Sequence, residues 1–587
     1  MALAGLLAFT ACSDTWDEHY NGTLDQGFGG SMMDYLSDPA NDVTDFAEVV
    51  KASGFDSELN SAQVLTILAP QNGTFNKDSL LQLINSGKSK QVVNRFIKNH
   101  VLRYNISLGA NSQDLTLLNT KKVKLGTLAD KTVNNARVVK ENVACNNGVI
   151  QVIDAAIPFM PNIYELLQDE HEAYKEANGL VGVHDDSIIS FFSFIKKYDD
   201  DLLDEARSVK SGQTDPDTRE PIYIDSVMIR NNTVASRLQA YIFREDSNYV
   251  AILPTTEAYQ KRYDELHDLF KYNYSMDSKP EKRDSIQNFM THLNVISDLF
   301  YNMNMNQHPE DSLFSTDYSR SNWLYDVYYH PYEADGLLSQ YTKKVECSNG
   351  TVYMMDEFPY TIYDNAFRRI VVEGEQTFNI ATGADAASKK WTDNEAYNTL
   401  TIVDNDSVSK GLCLHAFSSP SNQQLKLGFK LPGNLSGTYD VYIKTVPMSY
   451  YYELIQDTIS PSLPCRFRVR LYENDDKGMM SATSPTMSFV NPATDTEHFE
   501  SNAEKIEKLK VGEVTFQNCY RGDNYGAVLQ IETSASASQV RQGKFTRDIC
   551  IDCIILEPHR DGEASEPTGD SDGDSAGVSK RGLTNKN

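Results

Sequence analysis

The chain has 587 residues, and its 40% hydrophobic and 23% charged content is ordinary for a globular protein of about three or four domains. Its formal net charge of −28 repels phosphate backbones, which argues against a nucleic-acid partner and otherwise favours solubility. No apolar run reaches the roughly 18–20 residues that a membrane-spanning helix needs. The eight cysteines are scattered, a pattern that predicts no disulfide framework.

Residues 1–12 combine an apolar run of small residues and leucines with a cysteine directly behind it. The run MALAGLLAFTA before Cys12 resembles a bacterial lipoprotein signal and lipobox. The resemblance implies that Cys12 takes a lipid and anchors the chain to a membrane. The alternative is a buried N-terminal segment. Because no Lys or Arg precedes the run, we expect that the natural start lies upstream or that this methionine is internal.

Residues 13–30 are polar and glycine-bearing, a composition that predicts a flexible tether. Asp14, Asp17 and Glu18 stand just behind Cys12. Acidic residues in this place resemble the surface-export signal of Bacteroides-type lipoproteins. The resemblance implies an outer-membrane protein that faces the cell exterior, and the alternative is an ordinary acidic tether.

Two stretches share one design, in which a short apolar run reaches a proline and a polar turn leads to an aromatic residue. They are Val64–Asn76, with Pro70 in the proline position, and Tyr249–Tyr259, with Pro254 there. Each predicts a buried strand stopped by proline and a turn that opens towards a helix. The repetition indicates a duplicated domain. Both stretches resemble the first sequence signature of the fasciclin-like domain family.

Residues 31–165 contain two further markers of that family in the expected order. Asn99-His100 fits the Tyr-His or Asn-His pair, and Asn146–Asp154 (NNGVIQVID) reads as a hairpin and strand. The resemblance implies an α+β domain in which His100 is generally structural. Helical spacing places His100 on an apolar face, which favours a buried, hydrogen-bonded ring over a contact with a partner.

Residues 166–186 predict a polar helical linker, and residues 187–362 a second fasciclin-like domain. The closing stretch Cys347–Tyr360 echoes the sequence around Asn146–Asp154. This second copy is divergent, since no Asn-His pair follows Phe300 and a segment beyond it looks inserted.

Residues 368–558 change character, with strand-like runs separated by Gly, Asn and Pro turns. This pattern predicts an antiparallel all-β sandwich. Its opening IVVEGE and closing CIDCIILEP resemble a galactose-binding-like jelly roll of the carbohydrate-binding-module type. Residues 559–587 are low-complexity and acidic, and predict a disordered tail. The predicted fold class is therefore two α+β fasciclin-like domains followed by an all-β jelly-roll sandwich.

The jelly-roll resemblance implies a structural calcium ion, held by an acid from the first strand and one from the last. Glu373 or Glu375 and Asp552 match those places. No other cofactor is expected. Cys550 and Cys553 form C-x-x-C, but residues three apart on a strand face opposite sides and do not share a metal readily.

Exposed aromatic rings flanked by polar groups are typical of sugar-binding surfaces. Trp391 lies in a polar stretch, and the run Tyr450-Tyr451-Tyr452 follows a predicted strand, on which three consecutive rings cannot all face inward. We therefore expect these four residues to be possible glycan contacts. The alternative is packing at a sheet edge or an interface.

The sequence contains no HExxH, GxSxG or Walker loop, which argues against an enzyme. The first functional hypothesis is a non-catalytic surface lipoprotein that binds a glycan, a peptide or a partner protein. The resemblance implies an accessory role beside a TonB-dependent nutrient importer and its lid lipoprotein. The second is a fasciclin-type adhesion protein without a nutrient role. The third, a hydrolase with a carbohydrate-binding domain, has no catalytic motif to support it.

Overall fold

A computed structural model describes residues 27–560 and 581–585, except 61–63, 206–207, 217, 226–227, 275, 304–311, 320–323, 386–387, 403–406, 476, 478, 484 and 521–525. Cys12, the acidic residues of the predicted tether and most of the predicted tail lie outside this part. The chain divides into two compact units, residues 1–166 with 242–248 and 346–350, and residues 167–241 with 249–345 and 351–587. No helix of the described chain is both long and apolar enough to cross a bilayer.

The first unit is built on a seven-stranded sheet in the order β2-β1-β7-β6-β5-β4-β3. The strands are β1 Leu65–Pro70, β2 Val101–Arg103, β3 Gln113–Thr116, β4 Lys122–Leu125, β5 Thr132–Val133, β6 Ala136–Cys145 and β7 Gly148–Ile153. Five short helices belong to the same unit: α1 Met32–Ser37, α2 Thr44–Ser53, α3 Asp56–Leu59, α4 Lys77–Leu83 and α5 Ser89–Val92. A longer helix, α6 Ile163–Ala177, begins in this unit and ends in the second.

The first predicted signature forms β1, a strand whose six residues are all buried and which ends at Pro70. Asn76 then caps α4, because its side chain accepts a hydrogen bond from the Ser79 amide at 3.0 Å. The hairpin predicted at Asn146–Asp154 is also present, with β6 and β7 joined by a turn between Cys145 and Gly148. Both local predictions are confirmed.

Gly148 permits the parallel pairing of β7 with β1, in which it lies opposite Leu65. A Cβ atom added at Gly148 would approach the Leu65 carbonyl oxygen to 2.4 Å and the Met32 sulfur to 2.6 Å. The first contact is with backbone, so the two strands would have to separate. The absence of a side chain at Gly148 therefore sets how closely the central strands meet.

A buried ion network joins the remaining segments of this unit. The Lys121 ammonium lies 2.6 Å from a carboxylate oxygen of both Glu165 and Glu245 and donates to the Ser348 hydroxyl at 3.1 Å. The Lys121 side chain is only 6% exposed. A lone buried charge would be costly, so these partners are what allow lysine at this position.

A second sheet, in the order β16-β17-β12-β13-β14-β15-β29, belongs to the second unit except for residues 346–350. Before it come two two-stranded sheets, β8 Asp199–Leu203 with β11 Met228–Asn232, and β9 Val209–Thr214 with β10 Pro221–Asp225. The sheet strands are β12 Tyr249–Pro254, β13 Phe300–Asn302, β14 Ser312–Ser319, β15 Leu324–Tyr329, β16 Lys343–Cys347, β17 Gly350–Met355 and, from the stretch predicted as a disordered tail, β29 Arg581–Asn585. The helices are α7 Phe191–Lys196, α8 Thr233–Leu238, α9 Thr256–His267, α10 Pro280–Val295 and α11 Ile362–Asn365.

The strand order of this sheet repeats that of the first unit. The run β13-β12-β17-β16 corresponds to β2-β1-β7-β6, and β12, like β1, is completely buried and ends in proline. Both β1–β2 and β12–β13 are antiparallel. This correspondence agrees with the duplication that the two signatures predict. The assignment of residues 187–362 to the fasciclin-like family stays a prediction.

The rest of the second unit forms two antiparallel sheets. One has the order β19-β20-β28-β22-β26, with β18 also on β28, and the other has β21-β27-β23-β24, with β25 also on β23. The strands are β18 Ile370–Glu373, β19 Glu395–Thr401, β20 Leu412–Ser418, β21 Lys426–Leu431, β22 Gly437–Val446, β23 Arg466–Glu473, β24 Met487–Ser488, β25 Phe499–Glu500, β26 Glu507–Phe516, β27 Ala527–Thr533 and β28 Ile549–Pro558. Two helices, α12 Met448–Leu454 and α13 Ala537–Arg541, accompany them. The described chain is thus a β-rich, multidomain protein with several sheets.

We predict that Gly148→Ala lowers the free energy of unfolding of the first unit by about 2 kcal/mol or more, because the new methyl group overlaps strand backbone. Chemical denaturation followed by circular dichroism measures the change. Gly109→Ala is the matched control, since a Cβ atom there meets nothing within 4 Å. Equal stability of the two variants would contradict the close-approach explanation.

Candidate functional site

Two of the predicted calcium ligands, Glu373 and Asp552, come together where β18 pairs with β28. Glu373 on β18 lies opposite Cys553 on β28, and the ligand atoms of Glu373, Asp552 and Cys553 all lie within 4.8 Å of one another. The pairing of β22 with β28 shifts register between Lys444 and Thr445, so that Asp552 is the extra residue of a β-bulge. The bulge turns a fully buried carboxylate towards Glu373.

Several groups of the chain already contact this carboxylate pair. The Ser409 amide donates to both oxygens of Asp552 at 3.1 and 3.2 Å, and its hydroxyl donates to Glu373 at 2.8 Å. The Lys444 ammonium lies 3.3 Å from Asp552, and that of Lys410 lies 3.3 Å from Glu373. The chain itself therefore partly balances the negative charge.

The balance is incomplete, because Glu375 adds a third carboxylate nearby and two oxygens stay unpaired. The Oε2 atoms of Glu373 and Glu375 are buried and have no hydrogen-bond partner within the described chain. Burial raises the pKa of both Asp552 and Glu375, and the neighbouring carboxylates raise them further. Three carboxylates face two ammonium groups, which leaves an excess negative charge that a cation or a proton can compensate.

The donor set fits a hard cation such as calcium, which prefers oxygen ligands. Glu373 and Asp552 would hold it, whereas Glu375 lies outside the tight group and Cys553 offers a sulfur whose pKa burial raises. The Lys444 ammonium competes for the same oxygens of Asp552. Lys444 would therefore compete with a bound cation for the carboxylate of Asp552.

A second group of possible ligands, Asp440, Glu513 and His559, lies on the same sheet. No short motif in the sequence marks it, because the three residues meet only through the pairing of β22 with its neighbours. Lys510 lies 2.8 Å from Asp440 and 3.3 Å from Glu513. An internal cation already contacts both carboxylates of this group, which is typical of a surface ion network.

Trp391 is only 3% exposed, so the prediction of an exposed, glycan-facing ring at this position is wrong. Its ring packs edge-on against Tyr472, with centroids 5.3 Å apart, and its carbonyl accepts a hydrogen bond from Gln530 at 2.7 Å. The polar residues next to Trp391 in the sequence suggested an exposed ring, but the residues that contact Trp391 come from strands distant in the sequence.

Tyr450, Tyr451 and Tyr452 follow strand β22, as predicted, and lie in helix α12. All three rings are half-buried and pack against an apolar cluster that includes Cys413, Met448 and Cys550. The Tyr451 ring also contacts the buried His415 ring at a centroid distance of 4.0 Å. Because successive helical residues point in different directions, the argument from strand alternation does not apply to these tyrosines. The described cysteines, including those of the C-x-x-C pair, carry free thiols.

Asn99 and His100 are buried, and both side chains form hydrogen bonds with the backbone of Ile157. The Asn99 amide donates to the Ile157 carbonyl at 3.0 Å, and the His100 Nε2 accepts from the Ile157 amide at 2.8 Å. The other ring nitrogen of His100 donates to the Phe96 carbonyl at 2.8 Å, which fixes the neutral tautomer. No atom of the His100 ring is exposed to a partner. Burial lowers its pKa to about 4.

Sequence reasoning missed a buried arrangement of Ser190, His171 and Asp185. The Ser190 hydroxyl contacts one nitrogen of the His171 ring at 3.1 Å, and the other nitrogen lies 3.2 Å from Asp185. Although burial opposes it, hydrogen bonds from Lys175 and Lys196 hold the pKa of Asp185 well below its usual range. Ser190 also caps α7 and is 2% exposed, so the arrangement is a structural network rather than a reactive triad.

Adding calcium to a chelated sample should raise the melting temperature, because an ion bound at 100 times its dissociation constant stabilises by roughly 2.7 kcal/mol, or roughly 5 °C here. Differential scanning calorimetry measures the shift. Asp552→Asn should abolish it, and Asp440→Asn, in the second acidic group, should keep it. An unchanged melting temperature of the natural protein would contradict calcium binding by Glu373 and Asp552.

Acidification should destabilise the first unit. The folded-state pKa of His100 is about 4 against an ordinary value of 6.5, so its contribution is complete above pH 6.5 and disappears as the pH falls towards 4. The loss amounts to roughly 3 kcal/mol at most. Denaturant unfolding between pH 7 and 4 measures it. His100→Gln cannot titrate and should show a shallower pH dependence; equal slopes would contradict this assignment.

Comparison with known proteins identifies one family. Residues 41–159 match the Fasciclin domain, so this stretch of the chain is a fasciclin domain. Among solved structures, the chain is similar to a FAS1 domain pair from the insect cell adhesion molecule Fasciclin I, at 13% identity and a TM-score of 0.18, covering 55% of this chain and 98% of the other. It is also similar to a xylan-binding CBM22-1 domain from Paenibacillus barcinonensis, at 10% identity and a TM-score of 0.19, covering 32% and 95%.

Proposed function

We propose that this chain is a non-catalytic binding protein of the outer-membrane surface, attached to the membrane through a lipid on Cys12. The fasciclin domain at residues 41–159 carries the proposal, since such a domain serves adhesion or binding. The apolar run that ends at Cys12 and the acidic residues behind it support the anchor and its exposure to the exterior. The ligand in this proposal is a glycan, a peptide or a partner protein.

Within that role, we infer an accessory part in nutrient capture beside a TonB-dependent importer and its lid lipoprotein. The two β sheets between residues 370 and 558 would supply the ligand-binding surface, with the half-buried rings of Tyr450, Tyr451 and Tyr452 as glycan contacts. A calcium ion held by Glu373 and Asp552 would tie the first strand of this region to its last.

The second candidate function is cell adhesion without a nutrient role. The fasciclin domain favours it directly, because the same module can join cells or cell-surface polymers without any importer. The two functions differ in the partner that the protein keeps in the membrane. They are therefore separated by what accompanies the chain when it is extracted.

Purification of the protein from native outer membranes, through a tag placed after Asn587, tests the proposal. Recovery of an importer with its lid lipoprotein is the expected result, and recovery of the protein alone would favour adhesion. Cys12→Ala is the control, because a chain without the lipid should leave the membrane fraction. A membrane-bound Cys12→Ala protein would contradict the lipid anchor.

A further inference from the structure

Strand β23 carries three arginines on one face. In its sequence RFRVRLYE, the alternating residues Phe467, Val469 and Leu471 are at most 1% exposed and point into the core. The period of two therefore places Arg466, Arg468 and Arg470 together on the opposite face, with neighbours about 6.6 Å apart along the strand. Such a row is unusual for a chain with 54 basic and 82 acidic residues.

Arg470 forms an ion pair within the sheet. Arg470 donates to the Glu532 carboxylate on the adjacent strand β27 at 2.5 Å, and the Glu532 side chain is only 12% exposed. Lys426, on the far side of Glu532, lies 3.9 Å from it. Arg470 thus neutralises a nearly buried acid, and its guanidinium is not available for a further ligand.

The other two arginines have only loose partners. Arg466 lies 3.6 Å from Glu500 and Arg468 lies 3.9 Å from Glu497, and both of these carboxylates are about half exposed at 51% and 50%. Ion pairs of this length and exposure contribute little. The Nε atoms of both arginines are buried, and neither has a hydrogen-bond partner in the part of the chain that the structure describes. The two guanidinium groups are therefore held only by long ion pairs.

A histidine and an aromatic ring lie beside these arginines. Burial and then the charges of Arg466 and Arg468 lower the pKa of His498, which lies beside them and bonds Ser534. The Arg466 guanidinium stacks over the Phe545 ring, 5.7 Å from its centroid, which holds the side chain in place. A preorganised guanidinium loses little entropy when a ligand binds.

We propose that this face, defined by Arg466 and Arg468, binds an acidic polysaccharide through the carboxylates of its uronic acid residues. The inference rests on the proposed binding function and names its ligand class. A guanidinium matches a carboxylate with two parallel hydrogen bonds, and the two guanidinium groups of Arg466 and Arg468 can contact successive charges of a linear polymer. The glycan carboxylates replace Glu497 and Glu500, which swing into solvent.

The overall charge makes this face selective. A net charge of −28 repels polyanions from most of the surface, so an acidic chain is held only where cations are concentrated. Neutral glycans gain nothing from the arginine row. The binding should weaken as salt rises, because salt screens exposed charges.

Isothermal titration calorimetry of the full chain with polygalacturonate tests the proposal. Fully methyl-esterified polygalacturonate has the same backbone without the charge and should not bind. Arg466→Gln and Arg468→Gln should each weaken binding by roughly tenfold, as expected for a lost charged hydrogen bond. Arg369→Gln, an exposed arginine before β18 on the other sheet, makes the same charge change and should bind normally. Thermal unfolding of each variant verifies its fold.

A gain of affinity provides an independent measurement. Glu497→Gln and Glu500→Gln remove the acids that compete for the arginines, so each should bind polygalacturonate more tightly than the natural chain. Unchanged binding by the arginine variants, or equal binding of the methyl ester, overturns the proposal. Binding of poly-L-glutamate in place of polygalacturonate overturns the ligand class. If no polyanion binds while the chain still recovers its membrane partners, this inference fails and the proposed function stands.

Discussion

Strand β28 is the element on which the C-terminal sheets depend. It pairs with β18, β20 and β22, and its first eight residues are all buried. A strand with neighbours on both edges and cover on both faces has no room for polar groups unless they are paired. Even so, β28 carries Asp552, which is fully buried at the bulge. The other charges of that region are arranged around this carboxylate.

The protein places its charges in two contrasting ways. Around Asp552 and around Lys121, charged groups are buried and hold short contacts with several partners. On the arginine-bearing face of β23, two guanidinium groups keep only long ion pairs with half-exposed acids. Buried charges without close partners would destabilise the fold, whereas loosely paired charges at the surface are free to exchange partners. The first arrangement is structural, and the second is the basis of the proposed polysaccharide site.

Sequence patterns predicted the local fold wherever that fold depends on residues adjacent in the sequence. The strands of both signatures end at their prolines, and the turn before Gly148 joins β6 to β7, because proline and glycine act on the backbone at their own positions. The alternation of residues 368–558 likewise produced antiparallel sheets. The tyrosine run was different, since its composition suits a strand end and a helix equally well. Packing against the sheet decided in favour of the helix.

By itself, the sequence determined the β-rich, multidomain character of the chain and its fasciclin domain. These follow from periodicity and motif, which are written in consecutive residues. Only the tertiary structure decided that Trp391 is covered by Tyr472, that Lys444 lies beside Asp552, and that Arg466 and Arg468 keep only long ion pairs. Each of these depends on strands far apart in sequence, and burial and charge pairing are set by which strands become neighbours.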